Sequence, residues 1–323
     1  MATTTSGSLT LIDLAKRMSN NNMLTIAETI SEENDYLRDA ANVEANGTTI
    51  NTHNQRVSEP AGAWRAINDG TAVERSIVKQ VEEGMGMLEA WSQVDAKLVD
   101  MAPDKAKFRS DEDLAFVSGL GKTHASTFVY GSLASDPKSF NGLAQRYYDA
   151  DQANVWDAAG AAAMTSIWII QWGDTKVHFI HPRNAKIGLT TDDKGKRVVL
   201  GPTGPYDAYQ TKFTWDSGLC IHDDRYVQRI ASIASGTAIG ESSLVDDLII
   251  KALNKMPMKG AGAMIYMNDT MLSSFEIYAK DKSNVNYNTK NVWGEDVIAF
   301  RGRPLRLMDK ITNAETDFVG VGE

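Results

Sequence analysis

The sequence has few of the residues that mark secreted, membrane or zinc-dependent proteins. Cys220 is its single cysteine, so an intrachain disulfide is impossible and a cysteine-based zinc site is not expected. The longest apolar stretch, residues 158–170, is rich in alanine and too short to cross a bilayer. The first ten residues lack the basic and apolar regions of a signal peptide. We therefore expect a protein made and folded in a reducing cytosol, with no membrane association.

Positive charge is also scarce. The 33 lysines and arginines stand against 42 aspartates and glutamates, which gives a formal net charge of −9. A dedicated nucleic-acid binder needs a basic face to neutralise phosphates. The charge balance argues against that class of protein, although a protein that only encloses nucleic acid is still compatible with it.

Catalytic motifs are missing as well: the chain contains no G-x-S-x-G, H-E-x-x-H or G-x-G-x-x-G. Gly121, Lys122 and Thr123 resemble the end of a phosphate-binding loop, but Phe116 stands where that motif needs glycine, and Lys122 falls inside a predicted helix. On a strand, residues three apart point to opposite faces, so His178 and His181 do not form a ready pair of ligands. We therefore predict no catalytic, cofactor or metal site. The metal-binding candidates weighed were His178, His181, His222, Asp223 and Asp224.

The N-terminal third contains segments that cannot form a core of their own. Residues 1–46 form a predicted arm with helical spacing at 11–18 and 23–44, and few apolar residues for that length. Residues 47–71 predict a long β-hairpin with its tip near Pro60. A two-stranded hairpin is marginal in water unless it docks elsewhere. An arm and an unsupported hairpin indicate a protein that needs partners.

The rest of the chain mixes strands and helices, which predicts an α+β fold. After extended structure from residue 72, a helix is predicted at 110–130, with Ser110 and Asp113 at its start and Gly131 after its end. Strands dominate from residue 165 to 230, with a hairpin in 190–200, and further helices start at Ser243 and Thr270. Strands follow around residues 297–309. Core burial is the expectation for Trp168 and Trp215.

Five groups of short phrases occur in order along the chain. The phrases are WRAINDG at 64–70, VYG at 129–131 with DPKSFNGLA at 136–144, QWG at 171–173 leading to residue 189, GLCI at 218–221 with DRYV at 224–227, and YMN at 266–268 with FRGRPLR at 300–306. Together they cover nearly the whole body, from about residue 47 to 309. They resemble phrases of the major capsid proteins of tailed bacteriophages, of the short-tailed (podovirus) type, which have the Hong Kong 97-like (HK97-like) fold.

The resemblance implies a division of the chain. Residues 1–46 would be the N-terminal arm, 47–71 the extended loop lying over a neighbouring subunit, and 72–149 the peripheral domain with its spine helix at 110–130. Residues 150–281 would be mainly the axial domain, and 282–323 would return to the body. The candidate inter-subunit residues are Arg56, Trp64, Arg65 and Ile67.

The function implied is that of a structural subunit, not an enzyme. It would assemble with copies of itself, as pentamers and hexamers, into the icosahedral virion shell around double-stranded DNA, which it would contact without sequence specificity. Assembly would take place in the host cytoplasm. The implied partners are a portal protein, a separate scaffolding protein (since only about forty residues precede the hairpin) and, as an option, a cement or decoration protein. No lysine lies between residues 47 and 78 to donate an isopeptide cross-link from the loop.

Two alternatives stay open at this point. An encapsulin-like bacterial compartment protein would share the fold but enclose an enzyme cargo. A soluble hydrolase or NTPase would form a small oligomer and have a pocket with perturbed acid or base groups.

Overall fold

The structure is a computed structural model. It describes residues 18–19, 22–23, 34–160, 163–201, 204–234, 243–279, 287–292 and 295–315. The chain is divided into two compact units. One comprises Met1–Glu32, Met87–Ser126 and Lys186–Asp216; the other comprises Glu33–Gly86, Thr127–Ala185 and Ser217–Glu323. Among the described helices, none is long and apolar enough to span a membrane.

Runs of strands are separated by helices in mixed order along the chain, which confirms the α+β prediction. The helices are α1 (Tyr36–Asp39), α2 (Ala96–Met101), α3 (Lys105–Tyr130), α4 (Leu143–Arg146), α5 (Ser243–Lys255) and α6 (Asp269–Ala279). The strands are β1 (Met18–Ser19), β2 (Asn22–Met23), β3 (Asn42–Glu44), β4 (Ile50–Ser58), β5 (Ile77–Gly84), β6 (Gly86–Asp95), β7 (Val155–Asp157), β8 (Met164–Ile170), β9 (Val177–His181), β10 (Thr190–Gly201), β11 (Gly204–Ile221), β12 (Val227–Ala234), β13 (Met264–Met267), β14 (Tyr287–Val292), β15 (Glu295–Phe300) and β16 (Arg303–Leu307).

The N-terminal segment differs from its prediction. The predicted helix at 23–44 is wrong where it is described, because Met23 and residues 42–44 form strands and only α1 is helical. β3 pairs in parallel with β9, so tertiary hydrogen bonding overrides the helical spacing. The predicted helix at 11–18 lies outside the described residues apart from Met18, which is in β1.

The hairpin is longer than predicted. β4 pairs antiparallel with β5, from Ile50 opposite Gly84 to Ser58 opposite Ile77. Its second strand therefore lies beyond residue 71, and residues 59–76, all of them described, contain no strand. Proline and glycine keep this segment out of the ladder, and β-branched residues resume the pairing only at Ile77.

The long helix α3 begins earlier than predicted, at Lys105 and not at Ser110. The Asp104 carboxylate accepts the backbone N–H of Lys107 at 3.0 Å and caps the first turn. Ser110 therefore does not cap the helix, because it already lies inside it. The predicted end is confirmed: the helix stops immediately before Gly131.

In the first unit, β10 is one strand and not the predicted hairpin within 190–200. It pairs with β11 along its whole length, and a bulge between Asp193 and Gly195 absorbs the glycine, whose φ is +68°. Trp215 is only partly buried, contrary to expectation, and stacks on the ring of His124 with centroids 4.1 Å apart. The small core of this unit consists of Val94, Leu98, Val99, Ala102 and Phe108, with Tyr209 against it.

The second unit contains a seven-stranded mixed sheet in the order β14-β15-β16-β13-β8-β12-β7. Helix α5 starts at Ser243 as predicted and buries Leu248, Ala252 and Met256 in the same apolar cluster as Ile167 of β8. Every residue of β8 is buried, including Trp168, as predicted. Burial of a whole strand explains its nearly continuous apolar sequence.

Candidate assembly surface and a histidine–cysteine cluster

The β4–β5 hairpin presents an apolar surface to solvent. Among its large apolar side chains, Trp64 and Val73 are fully exposed and Ile67 is 92% exposed. Large apolar side chains that cluster on one surface mark interaction sites in soluble proteins. We call residues 59–76 the hairpin loop. Val57, Ile77 and Val78, at the adjoining ends of the two strands, are also at least half exposed.

The structure places all four predicted interface residues on this element. Trp64, Arg65 and Ile67 lie in the hairpin loop and Arg56 lies on β4. The two arginines have separate partners. Arg56 forms an exposed ion pair with Glu59 at 3.4 Å, and Arg65 donates to the Asp69 carbonyl at 3.2 Å. Sequence reasoning missed Val73, Ile77 and Val78, because the hairpin was thought to end at residue 71.

The root of the hairpin, in contrast, is anchored in the second unit. Glu83 of β5 accepts two hydrogen bonds from the Arg146 guanidinium, both at 2.6 Å, and its side chain is 9% exposed. Arg146 also donates to the Leu219 carbonyl of β11 at 3.1 Å and the Asn141 carbonyl at 3.2 Å. Such a bidentate, charge-assisted pair fixes geometry better than a single hydrogen bond. The hairpin therefore projects from a rigid base.

Beside this root lies a cluster of three histidines and the cysteine. Cys220 of β11 stands directly opposite His178 of β9, and His222 lies immediately after β11 ends at Ile221. The potential ligand atoms of His178, Cys220 and His222 all lie within 4.8 Å of one another. His53 of β4 completes the cluster, with its Nδ1 3.7 Å from the Cys220 Sγ. We call these four residues the histidine–cysteine cluster.

Burial controls the protonation of this cluster. It lowers the pKa of His178 to about 4, helped by the neighbouring His222, and it also lowers the pKa of His222. Burial raises the pKa of the Cys220 thiol to about 11, with Glu83 adding to the effect, although an N–H from Asn51 opposes it. The imidazoles of His178 and His222 are therefore neutral at pH 7, and the Cys220 thiol is protonated.

The other residues considered as metal ligands in the sequence, for which no metal site was predicted, do not join the cluster. His181 does not join the group, as the strand argument predicted, and the neighbouring acids have other partners: Asp223 pairs with Arg225 and Asp224 accepts from Tyr147. Sequence reasoning linked His222 to these acids and overlooked the Cys-x-His spacing at 220 and 222. That two-residue spacing, at the end of a predicted strand, was the available signal. Lys122 lies within α3, as expected.

Comparisons with known proteins assign the class. A chain in the cryo-EM structure of bacteriophage Epsilon15 is 25% identical, with a TM-score of 0.74 over 98% of this chain and 99% of that one. The capsid of bacteriophage JBD30 gives a TM-score of 0.53 at 10% identity, covering 87% and 91%. An encapsulin complex from Synechococcus elongatus PCC 7942 gives 0.47 at 11% identity, covering 70% and 96%. No curated protein sequence matches the chain.

The protein is thus a structural capsid subunit with the HK97-like fold of tailed phages. The chain belongs to the family described as "Major capsid protein GP7", whose sequence model matches residues 19–319. The family is structural and not enzymatic, which confirms that prediction and sets aside the hydrolase alternative. Its members build the capsid from copies of themselves, so the protein is a component of the virion. The encapsulin similarity is weaker and secondary.

Proposed function

We propose that this chain forms the pentamers and hexamers of an icosahedral shell around phage double-stranded DNA, and that the hairpin loop lies on a neighbouring copy. The observation that carries the proposal is the contrast along the hairpin. Its root is held by the buried Glu83–Arg146 pair, whereas Trp64, Ile67 and Val73 at the other end are exposed. An apolar surface held away from its own subunit by a rigid base is suited to bury against another one.

We assign the unit that holds most of α3 and the β10–β11 pairing to the peripheral domain, with α3 as its spine helix. The seven-stranded sheet with α5 and α6 is our axial domain, and residues 1–46 are the arm. This assignment moves residues 186–216 from the predicted axial domain to the peripheral one. Its support is their grouping with α3 in one compact unit. The assignment also moves β14–β16, which lie in the predicted 282–323 return to the body, into the axial domain.

The remaining partners follow from the same role. We propose a separate scaffolding protein, a portal protein and, as an option, a cement protein, with assembly in the host cytoplasm of a short-tailed phage. The net charge of −9 supports loose, sequence-independent contact with the packaged DNA.

The test replaces the two anchors together, Trp64→Ser and Ile67→Ser. Because both side chains are exposed, the unfolding midpoint of the unassembled subunit should not change. An interface anchor contributes about 2 kcal/mol or more. The concentration needed for closed shells, measured by sedimentation and negative-stain microscopy with the scaffolding partner, should therefore rise at least ~10-fold.

Thr71→Ala is the matched control, since it removes a small exposed side chain from the same loop. It should assemble like the original protein. Normal closed shells from the double variant at the original concentration would overturn the proposed role of the hairpin loop.

A further inference from the structure

The histidine–cysteine cluster gathers three of the chain's five histidines and its only cysteine. His53, His178 and Cys220 come from β4, β9 and β11, which are distant in sequence, and His222 follows directly after β11. The rings of His53 and His222 lie 4.6 Å apart, and those of His178 and His222 lie 5.2 Å apart. Core packing alone would not favour this set of polar side chains, because buried polar groups without partners are unfavourable.

The cluster leaves hydrogen-bonding capacity unused. His178 is 1% exposed and His53 is 6% exposed. Among the described residues, neither the Nδ1 of His178 nor the Nε2 of His53 has a hydrogen-bond partner of normal geometry. Each unsatisfied buried polar atom is unfavourable by about 1–3 kcal/mol. A bound ion that accepts the His178 Nδ1 lone pair would remove the deficit at that atom.

We propose that His178, Cys220 and His222 bind one transition-metal ion, with Zn²⁺ as the best match. Two imidazoles and one thiolate form a soft nitrogen–sulfur ligand set, which suits zinc and not calcium or magnesium. Zn–N bonds of about 2.0–2.1 Å and a Zn–S bond of about 2.3 Å place tetrahedral ligand atoms roughly 3.3–3.6 Å apart. The three ligand atoms now lie within 4.8 Å, so small side-chain movements bring them together.

A metal ion could reach the cluster from a cleft beside His222, and an amide contacts the Cys220 sulfur. His222 is half-buried and lines an open cleft of about 690 Å³, formed by residues 54–59, Thr175 and residues 222–226. The ion enters from this side, and the fourth coordination position faces the cleft. The amide of Asn51 donates to the Cys220 Sγ at 3.4 Å, which supports negative charge on sulfur. On binding, Cys220 releases its thiol proton to solvent and coordinates as the thiolate.

The ion would connect β9 to the end of β11 beside the root of the hairpin. His53 of β4 lies against two of the three ligands, Cys220 and His222, so the metal also affects the packing of this strand. The site does not depend on the proposed contact of the hairpin loop with a neighbouring copy. It can therefore be tested on the unassembled subunit.

The experiment titrates Co²⁺, as a spectroscopic substitute for Zn²⁺, into metal-free full-length subunit under reducing conditions. We expect one equivalent per chain, the visible bands of a four-coordinate ion, and a near-ultraviolet charge-transfer band from the thiolate. Zn²⁺ should displace the cobalt and abolish these bands. Cys220→Ser, which changes the residue least, should lose the charge-transfer band. His222→Gln, at a half-buried position, should weaken Co²⁺ binding at least ~10-fold.

His181→Gln is the matched control, because His181 is also buried and on β9 but lies outside the group. It should bind Co²⁺ like the original protein, and circular dichroism should show that all variants are folded. The proposal is overturned if the original protein shows no thiolate band at stoichiometric Co²⁺. It is equally overturned if Cys220→Ser keeps the band, or if His181→Gln loses binding while folded.

Discussion

The Glu83–Arg146 pair at the root of the hairpin allows a quantitative prediction. Glu83→Gln keeps the shape of the side chain and removes its charge, which leaves the Arg146 guanidinium largely buried without its counter-ion. The two carbonyl acceptors of Arg146 remain. Removing one partner of a buried ion pair destabilises a protein by about 3–5 kcal/mol. Because the Arg146 side chain is 20% exposed, we expect the lower end, about 3 kcal/mol.

The assay is urea unfolding of the unassembled subunit, followed by circular dichroism. Arg225→Met is the matched control: Arg225 pairs with Asp223 at the same 2.6 Å, but its side chain is 72% exposed. That variant should lose less than about 1 kcal/mol. Hydrogen exchange should also accelerate along β5 in Glu83→Gln and not in the control. If the two variants lose the same free energy of unfolding, burial is not what makes the root pair important.

Two further predictions concern close packing and pH. In Gly142→Ala, an added Cβ would lie 2.5 Å from the Thr127 carbonyl oxygen, so we expect thermal unfolding to show a destabilisation of about 2 kcal/mol or more. The control is Gly119→Ala, which lies in a helix with open space around it. It should be neutral or stabilising by up to about 1 kcal/mol. Burial lowers the pKa of His124 to about 3 from an ordinary 6.5, so its contribution to stability is complete above pH 6.5 and is lost as the pH falls towards 3. Between pH 7 and pH 5, His124→Phe should therefore lose ~2 kcal/mol less free energy of unfolding than the original protein, in which His178 adds a loss of its own. An unchanged pH dependence in that variant would contradict this assignment.

Local signals in the sequence predicted the elements that depend on neighbouring residues. The end of α3 before Gly131 and the start of α5 at Ser243 were predicted from local capping patterns, which act within a few residues. The buried strand β8 follows from its continuous apolar run. The order of these elements and the matching phrases were also enough to indicate the capsid family.

Features that join distant residues could not be predicted in this way. The partner of β4, the parallel pairing of β3 with β9 and the Glu83–Arg146 pair all depend on which backbone edges and side chains meet after folding. The histidine–cysteine cluster is the clearest case, since its members are up to 169 residues apart and only strand register places Cys220 opposite His178. Periodicity and capping report on the chain within about one turn or one strand. Long-range register is set by the burial of whole faces, so only the tertiary structure decided it.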